Sequence, residues 1–507
     1  MRAPRIAVVS FAACAGVTLA FIATAPWGKL RHLDPVLGVW AVAFLALMFH
    51  APSRAWLLDR DVTFTRRVLL IALVAVFAFQ MRSNVSRYDA LEVNAWDFSL
   101  SFDRPIERTL HGELLWSEDL RHSMLGVHAN WLLLAFVPLY AIAASPWWLI
   151  VAQAAAIAGA VAVLFAFARA VAGDDFLAAC LALAFLLNRY TARAAQFLFT
   201  IDVFYPLALF LLFHAFVRRR PRSFALALLL TLAIKEDAIL PLIGFALVAA
   251  AAKQWRYAIG TVVAAASVFA LDFFVVIPSF SHWTGAAYAQ NWGSFGATPI
   301  RAVGGMLLSP VKVLARVAEG GFGLLATLGF APLAGWPWLL SGLPPLVIAG
   351  SSDANNVHYF SLHYAMPVLP GLFAATTFAV ARGRTRRARR IAALVVLATS
   401  ALIGATYEFN APRPERRLIR KLARAAAPRI VYVQGALLPH AGYATNLRAL
   451  HHTIVPPPGS AYLVCATCNP YPFTRDELAQ RIEGLRGRGY EEMRMGGLSY
   501  FYLLRSR

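Results

Sequence analysis

The chain has 507 residues, of which 59% are hydrophobic and 14% charged, against about 45–50% and about 25% in soluble domains. A mean hydropathy of +0.60 over that length cannot come from one anchor helix, so an ordinary soluble enzyme is excluded and most of the chain must meet lipid. Lys+Arg 47 against Asp+Glu 26 gives a net charge of +21, but the cations fall in short clusters between apolar runs and form no stripe for nucleic acid.

The first apolar run, residues 6–25, follows Arg2 and Arg5 and at about 1.5 Å per residue covers a hydrocarbon core of about 30 Å. Ala23-Thr24-Ala25 has the form of a signal-peptide cleavage site. The run is longer than the usual signal core of about 7–15 residues, which favours a retained helix. Further apolar runs lie at 35–51, 68–81, 131–144, 147–172, 176–187, 201–217, 224–234, 238–252, 257–277, 322–332, 338–350, 366–381 and 391–405. Several fall short of the about 17 residues that a full span needs. The pattern predicts an α-helical polytopic membrane protein of about 13–15 crossings, some short or re-entrant, with the amino end inside. The expected units are amino-terminal transmembrane helices (1–81), a first large external loop rich in acids (82–127), a main bundle (128–407) and a small external α/β domain (408–507).

Lys and Arg in short loops mark the cytoplasmic side. That places inside Arg54, Arg60, Arg66 and Arg67, the run Arg218-Arg219-Arg220 with Arg222, Lys253 with Arg256, and the arginines of 382–390. Residues 82–127, the surroundings of Asp202, the turn Lys235-Glu236-Asp237, and segments 278–299, 351–363 and 408–507 then lie outside. In the last of these, 416–427 and 476–486 read as helices, and 430–433, 462–465 and 498–504 as strands.

Polar chemistry concentrates in the outer loop, where Asp89, Asp97, Asp103, Glu107 and Glu118 alternate with Trp96, Phe98, Phe102 and Trp116. Acids beside aromatics suit a partly buried site with shifted carboxylates. His128 follows directly. Lys235, Glu236 and Asp237 sit between two apolar helices, where each ionised group costs about 2.5–3.5 kcal/mol unless it pairs or faces a cavity. They form either a self-neutralising turn or part of the same external site. Asp202 serves either as a helix cap or as a site residue. Asp353, His358 and His363 stand in another polar outer insertion. Arg301, Lys312 and Arg316 punctuate a helix suited to the membrane interface, where Arg can fork a lipid phosphate. Cys465-Ala466-Thr467-Cys468 has no second CxxC and only His451-His452 nearby, so a local disulfide or idle thiols fit better than zinc. Walker, Rossmann and HExxH patterns are absent, which argues against ATP-driven transport, dinucleotide chemistry and a zincin protease.

Several landmarks recur in order: Phe102-Asp103-Arg104-Pro105, Leu110-His111-Gly112, Gly126-Val127-His128, Pro138-Leu139-Tyr140, Lys235-Glu236-Asp237, Pro332 through Pro344-Pro345, His358-Tyr359, His363-Tyr364 and Pro439-His440. In this order the chain, from Asp97 to the carboxyl end, resembles the bacterial membrane proteins called domain of unknown function 2079. That family is similar to the type C glycosyltransferases. The resemblance implies a type C-like fold in the inner membrane and a sugar taken from a polyprenyl-phosphate carrier on the external (periplasmic) face. The partners it implies are membrane lipid, the lipid-linked sugar donor and an acceptor it does not identify, with no nucleic acid and no cofactor. An acid in the first outer loop acts as base there; Asp97 matches it, with Asp89 and Asp103 in reserve. The residue pattern read above adds, as expected contacts to substrate, His128, Asp202, Lys235, Glu236, Asp237, Arg301, Arg316, Asp353, His358 and His363. The adjacent acids of the type C pattern are absent, since Phe98 follows Asp97, which leaves a divalent metal open. The rival readings are a secondary transporter using Lys235 and Glu236 as a coupling site and a non-catalytic membrane protein. No repeated halves support the transporter.

Overall fold

The computed structural model describes residues 58–502 apart from 60, 95, 119, 282–288, 404–406, 408, 426–428, 453 and 496, and apart from the side chains of Trp96, Asp97, Ala289 and Ala425. The expected spans at 6–25 and 35–51 and the carboxylate of Asp97 therefore lie outside the described residues. The chain is mostly helical, with a small sheet near its carboxyl end. Among the described residues three helices are long and apolar enough to cross a membrane: Arg66–Asp89 (α1), Trp147–Ala172 (α2) and Trp255–Phe280, whose regular part is Trp255–Leu271. A fourth forms if Asp175–Leu187 (α3) and Arg189–Ala195 (α4), bent by 57°, count as one span. The remaining apolar runs are packed as shorter pieces, among them Phe204–Val217 (α5), Pro221–Leu232 (α6), Ile239–Ala251 (α7), and Leu369–Ala381.

The long helices are apolar outside and polar within. On α1, Leu70, Ile71 and Val74 are more than half exposed, whereas Gln80, Ser83, Asn84 and Ser86 are buried. Water would reverse this arrangement; lipid favours it, because apolar side chains then face hydrocarbon and polar ones the bundle interior. Gln80 donates to the Tyr407 hydroxyl at 3.1 Å, and that hydroxyl donates to the Leu186 carbonyl at 3.1 Å. α2 runs through the centre against α1, α3 and α5. Its buried Gln153 stitches the break after α4, donating to the Ala194 and Phe197 carbonyls at 2.9 Å and accepting from the Thr200 amide at 3.2 Å.

Contacts at the helix ends sort the molecule into two poles. Tyr88, in the last turn of α1, packs edge-on against Trp147, the first residue of α2, while the Phe64 amide before α1 donates to Asp175 just after α2. At this second pole Arg390 bonds Asp174 at 2.9 and 3.2 Å, Arg389 donates to the Ala172 carbonyl, and a cavity of about 990 Å³ is lined by Asp61, Arg169, His214, Arg218, Arg386 and Arg390. The described arginines of 66–67, 218–222 and 382–390 thus flank one end of the bundle.

The opposite pole carries the loop after α1 and the carboxyl-terminal unit. In that unit Val431–Val433 (β1), Leu447–Ala449 (β2), Ala461–Cys465 (β3), Glu491–Met495 (β4) and Leu498–Tyr502 (β5) form one sheet in the order β2-β1-β3-β5-β4. β1 is parallel to β2 and β3; β5 is antiparallel to both β3 and β4. Helix Arg475–Gly487 begins with a capping box of Thr474 and Glu477. The sheet core also takes in Leu91 and Leu100 from the first loop, so loop and sheet share one interior. The sulfurs of Cys465 and Cys468 are bonded to each other.

The Arg390–Asp174 pair is only 1% and 5% exposed. Replacing Arg390 by Leu strands a buried carboxylate that backbone donors at Phe176 and Leu177 satisfy only in part. A loss of about 3–5 kcal/mol is expected, read as a lower melting temperature of the purified protein in detergent by circular dichroism. Arg222→Leu, exposed at the same pole, is the reference, and equal melting of the two variants would refute a structural role for the pair.

Candidate functional site

At the pole opposite the arginines, α6 and α7 are joined by Lys235-Glu236-Asp237, and four other segments close on that turn. Lys235 Nζ lies 3.4 Å from Asp237 Oδ2 and 3.9 Å from Asp202 Oδ1. The other oxygen of Asp202 lies 3.4 Å from His363 Nε2 and accepts from the Thr200 hydroxyl at 3.3 Å. Glu236 meets His128 Nδ1 at 2.7 Å and accepts from the Ala129 amide at 3.0 Å. The Tyr205 hydroxyl donates to Asp237. His128, Asp202, Lys235, Glu236, Asp237 and His363, all anticipated from the sequence, therefore form one cluster. Asp202 is no helix cap: its carboxylate faces the cluster and makes no capping bond.

Local backbone fixes this convergence. The Leu132 amide donates to the Ala233 carbonyl at 2.7 Å, which locks the segment after His128 onto the end of α6. Gly126 lets that segment touch the end of the Trp255–Phe280 span, because a Cβ there would stand 2.6 Å from the Phe280 backbone. One member escaped the sequence reading. Asp272, inside a run taken as a plain span, accepts from the Trp131 indole at 2.9 Å and is fully buried with its second oxygen unpartnered among the described residues. A lone carboxylate in an apolar run was the available signal.

Burial tends to raise both carboxyls of the turn, but their neighbours differ. His128 and Lys235 outweigh it at Glu236 and hold that group well below the usual carboxylate range. At Asp237 burial prevails, reinforced by Glu236 and Asp202 against Lys235, and the group is raised. Two adjacent carboxyls pushed apart in this way can divide the roles of anion and proton carrier.

The other anticipated residues stand elsewhere. Arg316 is held by Asp353 at 3.2 Å and by the Ser352 carbonyl. His358 bonds the Gly350 carbonyl at 2.6 Å and lies 3.7 Å from Glu319. Arg301 is exposed on Pro299–Leu308 and makes no contact with the cluster. Asp89 pairs with Arg416 of the carboxyl-terminal unit. Asp97 falls on the π-helical turn Trp96–Asp103. That turn meets the cluster's neighbourhood through Phe102, whose ring packs edge-on against Phe199 at 5.1 Å, next to Thr200. No group of three or more His, Cys, Asp or Glu side chains among the described residues is placed to hold a metal ion.

Residues 87–454 match the family described as predicted membrane protein (DUF2079). The chain belongs to that family. No curated protein and no solved structure matches it. The whole polar cluster lies within the DUF2079 span, whereas β3, β4, β5 and the disulfide lie beyond it.

Within this DUF2079 protein, Asp103 joins loop, bundle and carboxyl-terminal unit: Tyr140 and Tyr443 both donate to its Oδ1 at 2.6 Å. Burial raises its pKa from 3.8 to about 6, against the two phenols and Arg104. Stability linked to this proton is fully present below about pH 4 and is lost as pH rises through about 6, a change of about 3 kcal/mol. Asp103→Asn should flatten the fall in melting temperature between pH 4 and 7. Parallel pH profiles for variant and parent would rule the linkage out.

Proposed function

We propose that the protein is a multi-pass inner-membrane glycosyltransferase, type C-like, that moves a sugar from a polyprenyl-phosphate carrier to an acceptor on the external face. The observation that carries this reading is the cluster itself. Three acids, two histidines and a lysine from four segments converge at the pole away from the arginines, beside the loop that holds Asp97. In the step proposed, Asp97 takes the proton of an acceptor hydroxyl, the acceptor oxygen bonds the anomeric carbon, and the bond from that carbon to the carrier phosphate breaks with inversion. The donor supplies the energy, so no nucleotide is required. Lys235 supplies positive charge near the leaving phosphate, as would Arg301, and Asp237, disposed to hold a proton, can donate a hydrogen bond to it with little reorganisation.

The arginine-flanked pole faces the cytoplasm in this reading, and the carboxyl-terminal unit faces outward. The disulfide supports that side, because such bonds persist in oxidising compartments. Alkaline phosphatase fused after Arg507 should be active in a bacterial host; an inactive fusion at normal expression would invert the orientation. About 13–15 crossings remain the count proposed for the whole chain.

One observation favours the transporter as a second reading: a helix broken by 57° next to buried, paired charges is a common transport-site arrangement. A single assay separates the two. Asp97→Asn, tested with radiolabelled polyprenyl-phosphate sugars, should lower transfer by about 10²-fold or more with little change in donor binding. Full transfer in Asp97→Asn would remove it as base, and solute flux without transfer in the parent would establish the transporter.

A further inference from the structure

Most cations at the cluster's pole are already engaged. Lys235 is shared by two carboxylates, and Arg104 and Arg108 bond Glu118 at 3.1 and 2.8 Å. Arg316 is held by Asp353, and Lys312 donates to the Ser294 carbonyl and lies 4.3 Å from the centre of the Phe295 ring. Arg189 and Arg193 differ. Among the described residues Arg189 has the ring of its neighbour Tyr190 at 5.6 Å and no carboxylate, and Arg193 has no carboxylate or carbonyl partner.

Their depth makes this costly. α3 has 13 residues and rises about 20 Å from the Asp174–Arg390 pair; with that pair at the cytoplasmic boundary, as the transferase reading places it, α4 begins about two thirds of the way across a core of about 30 Å, with Arg189 half-buried and Arg193 exposed. Two guanidinium ions one helical turn apart repel each other, and unpaired charge at such depth marks a functional position. The helix that carries them is braced. Asn188 donates to Thr327 at 2.9 Å and accepts from the Tyr190 amide at 3.0 Å. The Tyr190 hydroxyl lies over Gly323, where a Cβ would come within 2.4 Å, and Gln153 holds the far end. The fully buried Thr191 hydroxyl has no partner among the described residues. One turn beyond Arg193, the Phe197 ring packs edge-on against His363 at 5.6 Å, the histidine that meets Asp202.

We propose that Arg189 and Arg193 form a phosphate-binding site beside the acid–base cluster, one that would hold the carrier phosphate of the transferase reading, on which this assignment rests. Two forks on a rigid helix suit a group that carries two charges and several acceptor oxygens, and Phe322 of the neighbouring helix Pro310–Ala326, 61% exposed, continues as apolar surface for a lipid tail.

The test uses the full chain in phosphatidylcholine nanodiscs with a radiolabelled long-chain polyprenyl phosphate as probe. Arg189→Gln/Arg193→Gln should weaken binding by at least about tenfold, while Arg222→Gln at the other pole should not. Competition by inorganic phosphate alone identifies free phosphate as a ligand of the site, and competition by phosphatidylglycerol identifies lipid headgroups; binding that neither competitor disturbs and the double variant retains overturns the proposal. If the double variant does not fold, Arg189→Lys/Arg193→Lys keeps charge but loses the forks, and unchanged affinity there overturns the proposal equally. Transfer and binding retained in the double variant refute the arginine site alone. Arginine-dependent binding in a parent that transfers no sugar refutes the transferase reading and leaves the site standing.

Discussion

Charge kept among apolar helices must be neutralised where it stands, and the bonds from Lys235 to Asp202 and Asp237 meet that constraint at one pole of this protein. Asp237 lies on the same turn and Asp202 at the start of α5, so satisfying the lysine fixes the turn between α6 and α7 against that start. The histidines extend the same logic. His128 reaches Glu236 from the loop side and His363 reaches Asp202 from the far side of the bundle. Removing any member leaves another buried and uncompensated, which costs more than the intact pair contributes. A chain that needed only a turn here could use glycine and asparagine; six ionisable groups imply that the field they create is used.

The same rule organises the join between membrane and carboxyl-terminal unit. Glu118 accepts from Arg104 and Arg108, with Arg448 of the sheet 3.9 Å away, and these cations hold its carboxyl below the usual range although burial would raise it. Arg104 also donates to the Gly442 and Leu447 carbonyls, and His440 Nε2 meets the Tyr88 carbonyl at 3.0 Å. With Leu91 and Leu100 inside the sheet core, the first loop is built into the domain that covers it. The π-helical turn bearing Asp97 thus begins beside the sheet and ends at Asp103, which Tyr443 of that unit holds. Small movements of the sheet would reach that turn directly.

Legibility from sequence followed the range of the interactions. Lys235-Glu236-Asp237 stood out because charge between apolar runs is expensive whatever surrounds it, and its convergence with Asp202 followed from both lying at the same end of their helices. Asp89 and Asp103 were equally visible as acids beside aromatics. What claims Asp103 is Tyr443, 340 positions away, and what claims Asp89 is Arg416; no local pattern encodes such partners. Asp272 was masked by the apolar run around it. Strand β4, Glu-Glu-Met-Arg-Met, reads as a polar loop because it is an edge strand whose charged side chains meet solvent, a common device against edge pairing. The expected strand and helix positions around 430–433, 462–465 and 476–486 coincide with elements because alternation and capping are local signals.

The two poles use charge in opposite ways. Near the arginines, Asp174 with Arg390 and Asp175 with Arg169 are simple pairs, one cation to one carboxylate, that anchor helix ends. At the other pole the arithmetic is uneven. Among the described residues Lys235 answers two carboxylates, Asp272 keeps an oxygen without a partner, His363 keeps a buried Nδ1 without one, and Arg189 and Arg193 meet no carboxylate. Structural neutralisation would have matched these groups to one another, since acids and bases sit within one region of the fold. Their separation into an acidic cluster and an unmatched cationic helix is the arrangement expected of a site completed from outside by a ligand that needs proton transfer at one end and charge compensation at the other. In the transferase reading proposed above, a lipid-linked phosphate ester would meet both requirements.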